Sequence, residues 1–302
     1  MDYNRLLTPP KGKIDAVLDT DTYNEIDDQF AIAYMLRSED RINLKALYAA
    51  PFHNSKSNGP EDGMERSYDE ILKLLTLADR EDMKTVTFRG SRSYLSSETV
   101  PVDSPAAHDL AERAMEYTSE NPLYVVAIGA ITNVASALIM KPEIKDRIVI
   151  VWLGGNSIDS SDNREFNILQ DVAAARVVMG CGAPFVQLPC RGVVDHFYTT
   201  APELNFWLAE KNPLADYLAK NTIAEAESYA AGKPWSRVIW DVTAVAWLLN
   251  EGGRFMVSRI IPTPIPQYDH HISHDYNRHL MCYVHTIHHD ALMEDLFKKL
   301  TR

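Results

Sequence analysis

The chain is predicted to fold as a doubly wound α/β protein, a mostly parallel sheet with helices on both faces. Three observations point there. Short β-rich runs alternate with helical stretches along most of the chain, which is how parallel strands and their crossovers are written. The helical stretches place apolar residues three and four apart, so each has one face to bury. At 302 residues and 46% hydrophobic content the chain can sustain one large core. No internal repeat, low-complexity tract or Gly/Ser linker divides it, so one domain over residues 1–302 is expected.

In order, strands are predicted from Ile14 to Leu18, Leu44 to Ala49, Thr85 to Phe88, Leu123 to Ile128, Ile148 to Leu153 and Pro184 to Leu188. Helices are predicted from Ile26 to Leu36, Tyr68 to Leu77, Ala106 to Tyr117, Asn133 to Met140 and Val172 to Met179. From Pro202 to Asn250 the pattern turns helical. Two β-like stretches, Phe255 to Ile261 and Leu280 to Val284, then extend the main sheet before a last helix from Ala291 to Leu300. Right-handed crossovers would put the strands' carboxyl ends on one edge. Two polar stretches read as loops, Asn54 to Glu65 and Ser157 to Arg164, lie beyond strand ends, where such sheets place ligands.

Composition removes several function classes. The formal charge of −12, with no run of Lys and Arg to offset it, disfavours a nucleic-acid partner and leaves room for a metal cation. No apolar run is long enough for a membrane span, and the first residues lack a signal-peptide pattern, so a soluble cytoplasmic protein is expected. Cys181, Cys190 and Cys282 match neither a zinc knuckle nor a disulfide framework and read as small buried residues. Seven histidines from His270 to His289 crowd the C-terminal region without a zinc spacing.

Chemistry concentrates directly after the first strand. Asp19, Asp21, Glu25, Asp27 and Asp28 fall within ten residues, a crowding that a hard cation relieves. The plainer account is a solvated loop whose Asp27 and Asp28 favour a helix N-terminus. An EF-hand fails here, since neither the required glycine nor the closing glutamate is present. An Asp-x-Asp phosphatase, with Asp19 as nucleophile and Asp21 as acid/base, fits the first residues alone. A calcium-dependent sugar-binding protein without catalysis is a third possibility.

The run from Asp19 to Asp28 resembles the nucleoside hydrolase fingerprint, Asp-x-Asp-Pro-Gly-x-Asp-Asp followed by a helix. Three further anchors follow in the family's order: Ala127-Ile128-Gly129-Ala130-Ile131-Thr132-Asn133, Gly154-Gly155-Asn156 with Glu165-Phe166-Asn167, and Trp240-Asp241-Val242-Thr243. The resemblance implies Ca²⁺ held by Asp21, Asp28, Asp241 and the main-chain carbonyl of Ile128, a water activated by Asp21, and hydrolysis of the N-glycosidic bond of a ribonucleoside or related riboside. By the same resemblance Asp27, Glu165 and Asn167 bind sugar hydroxyls, and Asn54 is a further sugar contact. Asn156 takes the part of the family's other sugar-binding Asn, with Asp159, Asp162 and Asn163 as alternatives. A homodimer or homotetramer is implied as well. The chain departs from the pattern in two places. Thr22-Tyr23-Asn24-Glu25 lengthens the loop that usually carries Pro-Gly, and Trp240 stands where well-known members have a His that serves as leaving-group acid. Trp has no such proton to give, so Trp240 is left to stack on the leaving group or close the pocket. Other candidates for the acid are Glu25, Tyr229 and one of the histidines, and the plain partner for a buried Asp241 is Arg237.

Overall fold

The computed structural model describes residues 3–302. Eight strands make one sheet: β1 (Ile14–Thr20), β2 (Ile42–Ala49), β3 (Thr87–Arg89), β4 (Leu123–Ala127), β5 (Ile148–Leu153), β6 (Phe185–Leu188), β7 (Met256–Pro262) and β8 (Leu280–Ile287). Across the sheet they run β3-β2-β1-β4-β5-β6-β8-β7. Neighbours are parallel throughout, except that β7 runs antiparallel to β8. The carboxyl ends therefore share one edge for every strand but β7.

The central strands are apolar because both of their faces are covered. Every residue of β4 and β5 is buried, and successive residues of β1 alternate between two cores. Ala16 and Leu18 belong to the core under the helices Asp27–Leu36, Pro60–Leu77, Val242–Leu248 and His289–Leu300. Val17 belongs to the other, under Pro105–Arg113, Thr132–Met140 and Val172–Gly180. The chain winds outward from β1 to β3 and then returns to the far side of β1 to begin β4. That reversal leaves a crevice beyond the carboxyl ends of β1 and β4, since the two connections leave in opposite directions.

The predicted elements recur with shifted ends and three corrections. The stretch from Asn54 to Glu65 is only half loop, because the helix Pro60–Leu77 starts well before Tyr68. Pro60 opens its first turn, and Glu61 and Asp62 face the positive end of its dipole. Those polar residues hid the helical period. Thr85 lies in a 3₁₀ turn, so β3 starts at Thr87. The region from Pro202 to Asn250 holds three helices, Ala201–Trp207, Pro213–Ala230 and Val242–Leu248, and the short pair Arg237–Val238 with Tyr198–Thr199 interrupts them. Among the described residues, no helix is long and apolar enough to cross a membrane.

Candidate active site

β1 is buried to its end, and Asp19 and Asp21 at that end are at most 1% exposed. The two carboxylates part company because the strand ends at Thr20, and Asp21 lies beyond the period that would put residues two apart on one face. Asp19 accepts a hydrogen bond of 2.7 Å from the Asn133 side chain, and Asn133 also accepts from the Ser91 backbone N–H at 2.7 Å. Asp19 is fully buried and does not line the crevice. A phosphatase nucleophile there would have no access to substrate. Burial pushes its carboxyl up to about 7 in spite of the Asn133 bond.

Asp21 turns the other way, into a cavity of about 310 Å³ that it shares with Asp27, Asp28, Ile128, Glu165, Asn167, Trp240 and Asp241. Two wholly buried helices bring the remaining acids in. Asp27 and Asp28 form the first turn of Asp27–Leu36, and Asp241 immediately precedes Val242–Leu248, which packs against it. Both helices present unpaired N–H groups and a positive dipole end, which favours carboxylates there. Carboxylate oxygens of Asp27, Asp28 and Asp241 lie within 4.8 Å of one another. Thr20 donates to Asp28 Oδ1 at 2.6 Å.

These four acids are at most 3% exposed. Burial comes first among the causes that drive their carboxyls up, and mutual repulsion adds to it. Asp21 is raised by burial and then by Asp28, Asp27 and Glu25; Asp241 by burial and then by Asp27, Asp28 and Asp21. Asp27 is raised by burial, Glu25 and Asp28, against the pull of Arg237. For Asp28 burial outweighs the bond from Thr20 and lifts it to about 7. Arg237 is not the partner of Asp241: it pairs with Glu25 at 3.0 Å and Glu225 at 3.5 Å. Asp21 Oδ2 and Asp27 Oδ1 are buried without any hydrogen-bond partner. An all-oxygen, multiply anionic set with such orphaned atoms suits a hard divalent cation.

Asn167 donates through Nδ2 to the carbonyls of Ile128 at 3.1 Å and Leu153 at 2.9 Å, tying the ends of β4 and β5 together. It sits in the first turn of the helix Phe166–Gln170, not on an extended segment with Glu165. Glu165 caps that helix: its carboxylate accepts from the backbone N–H groups of Gly155 at 2.7 Å, Asn167 at 2.9 Å and Ile168 at 3.2 Å. Burial still raises its carboxyl above the usual range. Gly155 has φ 79°, a backbone that favours glycine. Gly129 is required by closeness instead, since a Cβ there would stand 2.9 Å from Asp21 Oδ1.

Two expected sugar contacts fall outside the cavity lining. Asn54 donates to Asn24 Oδ1 at 2.7 Å, so it braces a residue that does line the cavity. Asn156 is buried in the loop before Glu165, where its N–H donates to Asn163 Oδ1 at 2.8 Å. Neither it nor Asp159, Asp162 or Asn163 reaches the lining. Thr132 and Asn133 are not the cap of their helix, which begins after Ile131 with no side-chain cap; Thr132 binds Asp171 at 2.7 Å instead. Sequence reasoning missed Asn24, Cys190, Arg164, Arg191 and Phe166, all of which line the cavity. Phe166 stands between two residues that were picked, and that adjacency was the available signal. No histidine lines the cavity. Tyr229 is 59% exposed and apart from it.

A buried all-oxygen acid cluster that could hold a metal, opening on a cavity of about 310 Å³ at the switch point of a doubly wound sheet, is where proteins of this α/β class bind small ligands. Residues 16–285 match the family described as "Inosine-uridine preferring nucleoside hydrolase", and the chain belongs to that family. It is therefore a ribonucleoside hydrolase, an N-glycosidase. The pyrimidine-specific ribonucleoside hydrolase RihA of Enterobacter sp. is 26% identical over 250 residues, covering 74% of this chain and 76% of that one. The non-specific ribonucleoside hydrolase RihC of Escherichia coli is 32% identical over 154 residues, covering 50% and 48%. Among solved structures, a plant nucleoside hydrolase (PpNRh1) superposes with a TM-score of 0.75 at 19% identity, over 97% of this chain and 99% of that one. The purine-preferring ribonucleoside hydrolase from Gardnerella vaginalis gives 0.73 at 20%, over 95% and 98%. At those identities the superpositions speak for the fold.

Proposed function

We propose that the chain is a calcium-dependent hydrolase of ribonucleosides in which Asp21 is the general base and Ca²⁺ is held by Asp21, Asp28, Asp241 and the carbonyl of Ile128. The observation that carries this reading is the convergence of buried acids from two distant parts of the chain, with orphaned oxygens on Asp21 and Asp27. A bound divalent cation supplies an anchor for neighbouring sugar hydroxyls and makes a nearby water more acidic.

The chain's own residues do the rest. Asp21, whose free Oδ2 faces no partner, takes the proton of the attacking water. As the bond at the anomeric carbon breaks, positive charge grows there and on the ring oxygen, and the preorganised carboxylates lower its energy in a site screened from bulk water. Asp27 holds a ribose hydroxyl, and its closeness to Asp28 and Asp241 also offers the cation a further carboxylate. Asn167 and Glu165 grip the remaining sugar hydroxyls, and their backbone partners fix where they stand. Asn54 acts on the sugar through Asn24, which it holds in position, and Asn156 through the fold of the loop that leads to Glu165.

The test is a reducing-sugar assay over purine and pyrimidine nucleosides with and without a chelator. Ribose release lost on chelation and restored by Ca²⁺ is the expected result. Sugar binding without release from any riboside would favour a non-catalytic sugar-binding protein instead. Asp21→Asn should lose turnover and weaken calcium, since Asp21 is both base and ligand, whereas Asp241→Asn should weaken calcium and keep the base; calorimetric titration beside the rate reads the two apart. A homodimer or homotetramer, expected from the family, is checked by light scattering. A cytoplasmic location suits the three free cysteines.

A further inference from the structure

We infer that the chain acts by preference on ribosides phosphorylated at the primary hydroxyl, ribonucleoside 5′-monophosphates in particular, with Arg164 and Arg191 holding the phosphate. This rests on the ribosidase reading proposed above and names its substrate class.

Two guanidinium groups line the same cavity as the acids, and they reach it from separate loops. Arg164 directly precedes Glu165, and Arg191 directly follows Cys190. The two loops are stitched together by backbone bonds. The Cys190 N–H donates to the Gly155 carbonyl at 2.7 Å and the Ser157 N–H to the Arg191 carbonyl at 2.9 Å, while the Gly155 N–H donates to the Glu165 carboxylate at 2.7 Å. Both arginines therefore belong to the Glu165 end of the cavity. Both are exposed, so they stand at its mouth rather than its floor. Among the described residues Arg191 has no ion-pair partner, and Arg164 has only Asp162 at 3.5 Å, with side chains 57% and 40% exposed.

The cavity's other charges already have company. Asp21, Asp28 and Asp241 face the proposed dication with Asp27 beside them, Glu25 pairs with Arg237 at 3.0 Å, and Glu165 accepts three backbone N–H groups. With the dication counted, six carboxylates still leave the cavity negative overall, and its uncommitted positive charge is confined to the mouth. An anionic group is thus repelled from the floor and accepted at the arginines, where solvent screens the acids behind them.

A furanose anchored by its two adjacent secondary hydroxyls turns its primary carbon toward Glu165 and Asn167, and so toward Arg164 and Arg191. Guanidinium forks match the oxygens of a phosphate monoester in pairs. Both Glu165 oxygens are already bonded, so an ester oxygen, which has no proton to give, leaves no bond of that carboxylate unmade. The reaction balances with the phosphate untouched: water gives its oxygen to the anomeric carbon and, in net, a proton to the departing base. Free base and ribose 5-phosphate leave.

The experiment compares inosine and uridine 5′-monophosphates with inosine and uridine at saturating calcium, by kcat/KM for release of free base. A preference of about tenfold or more for the monophosphates is expected, the lower end of what one hydrogen bond to a charged group contributes. Arg164→Ala with Arg191→Ala should bring that ratio to about one or below; both side chains are exposed, so their removal leaves the fold standing. As a binding readout, ribose 5-phosphate should inhibit at least about tenfold more tightly than ribose and lose that advantage in the double variant. An unchanged ratio in the double variant overturns the assignment of the arginines. Nucleosides hydrolysed as well as or better than their monophosphates by the natural chain overturn this inference alone. No base from any of the four overturns it together with the ribosidase reading.

Discussion

Thr20 and Gly129 show how single residues set the geometry of the acid cluster. Thr20 donates to Asp28 at 2.6 Å and exchanges a 2.8 Å bond with Thr22, which fixes the Asp28 carboxylate before any cation arrives. Thr20→Val keeps the shape and removes the donor. Groups that orient a metal ligand in this way are typically worth about 10–100-fold in metal affinity, so calorimetric titration of the variant with calcium should show a loss in that range with little change in fold. Gly129→Ala tests space instead. Its added carbon would meet Asp21 Oδ1 at 2.9 Å and the Ala50 side chain at 3.2 Å. Overpacking of this kind costs about 1–3 kcal/mol, and because Asp21 is the group displaced, kcat should fall together with the denaturation midpoint.

At the scale of elements, the short helix Phe166–Gln170 carries Asn167 to the ends of β4 and β5, and Glu165 keeps it there. Glu165→Ala removes the acceptor of three backbone N–H groups. Loss of a cap costs about 0.5–2 kcal/mol, and the unpaired Gly155 N–H adds to that. Urea denaturation should report the loss, and the same variant should raise KM for ribosides as Asn167 loses its station. The helix Val172–Gly180 is secured similarly. Asp171 accepts from Ala174 N at 2.9 Å, Leu95 N at 2.9 Å and Thr132 Oγ1 at 2.7 Å, which joins a loop, a helix start and the cap itself. Asp171→Ala should therefore destabilise the fold without altering calcium affinity.

Over the whole molecule, the acid cluster makes stability depend on the cation and on pH. In chelated protein Asp28 and Asp19 are raised to about 7, and Asp21, Asp27 and Asp241 rise in the same direction. Unfolded, each titrates near about 4. Between those values the folded chain binds more protons than the unfolded one, so stability falls as pH rises from about 4 through the raised values. On the proposed reading, Ca²⁺ replaces those protons. Scanning calorimetry should show Tm of the chelated protein dropping between pH 5.5 and 8, while the calcium-loaded protein changes less. At free calcium about 1,000 times Kd the stabilisation should approach about 4 kcal/mol. An equal Tm gap at both pH values would count against a cation in the cluster.

The sequence by itself determined the sheet, because strands buried on both faces must be written as apolar runs such as Ile148–Leu153, and its resemblance to a family singled out four segments that the fold brings around one cavity. It located the helix Val242–Leu248 only within a longer helical region, and it read the first turns of Pro60–Leu77 as loop, since polar opening residues carry no period. What only the tertiary structure decided is direction. The end of β1 at Thr20 separates Asp19, which meets Asn133, from Asp21, which meets the cavity. Glu165 and the Asn167 Nδ2 bond backbone groups, and Asn54 and Asn156 brace neighbours from outside the lining. Spacing in a chain says which residues travel together, whereas the partner a carboxylate or amide finds depends on what the rest of the fold packs against it.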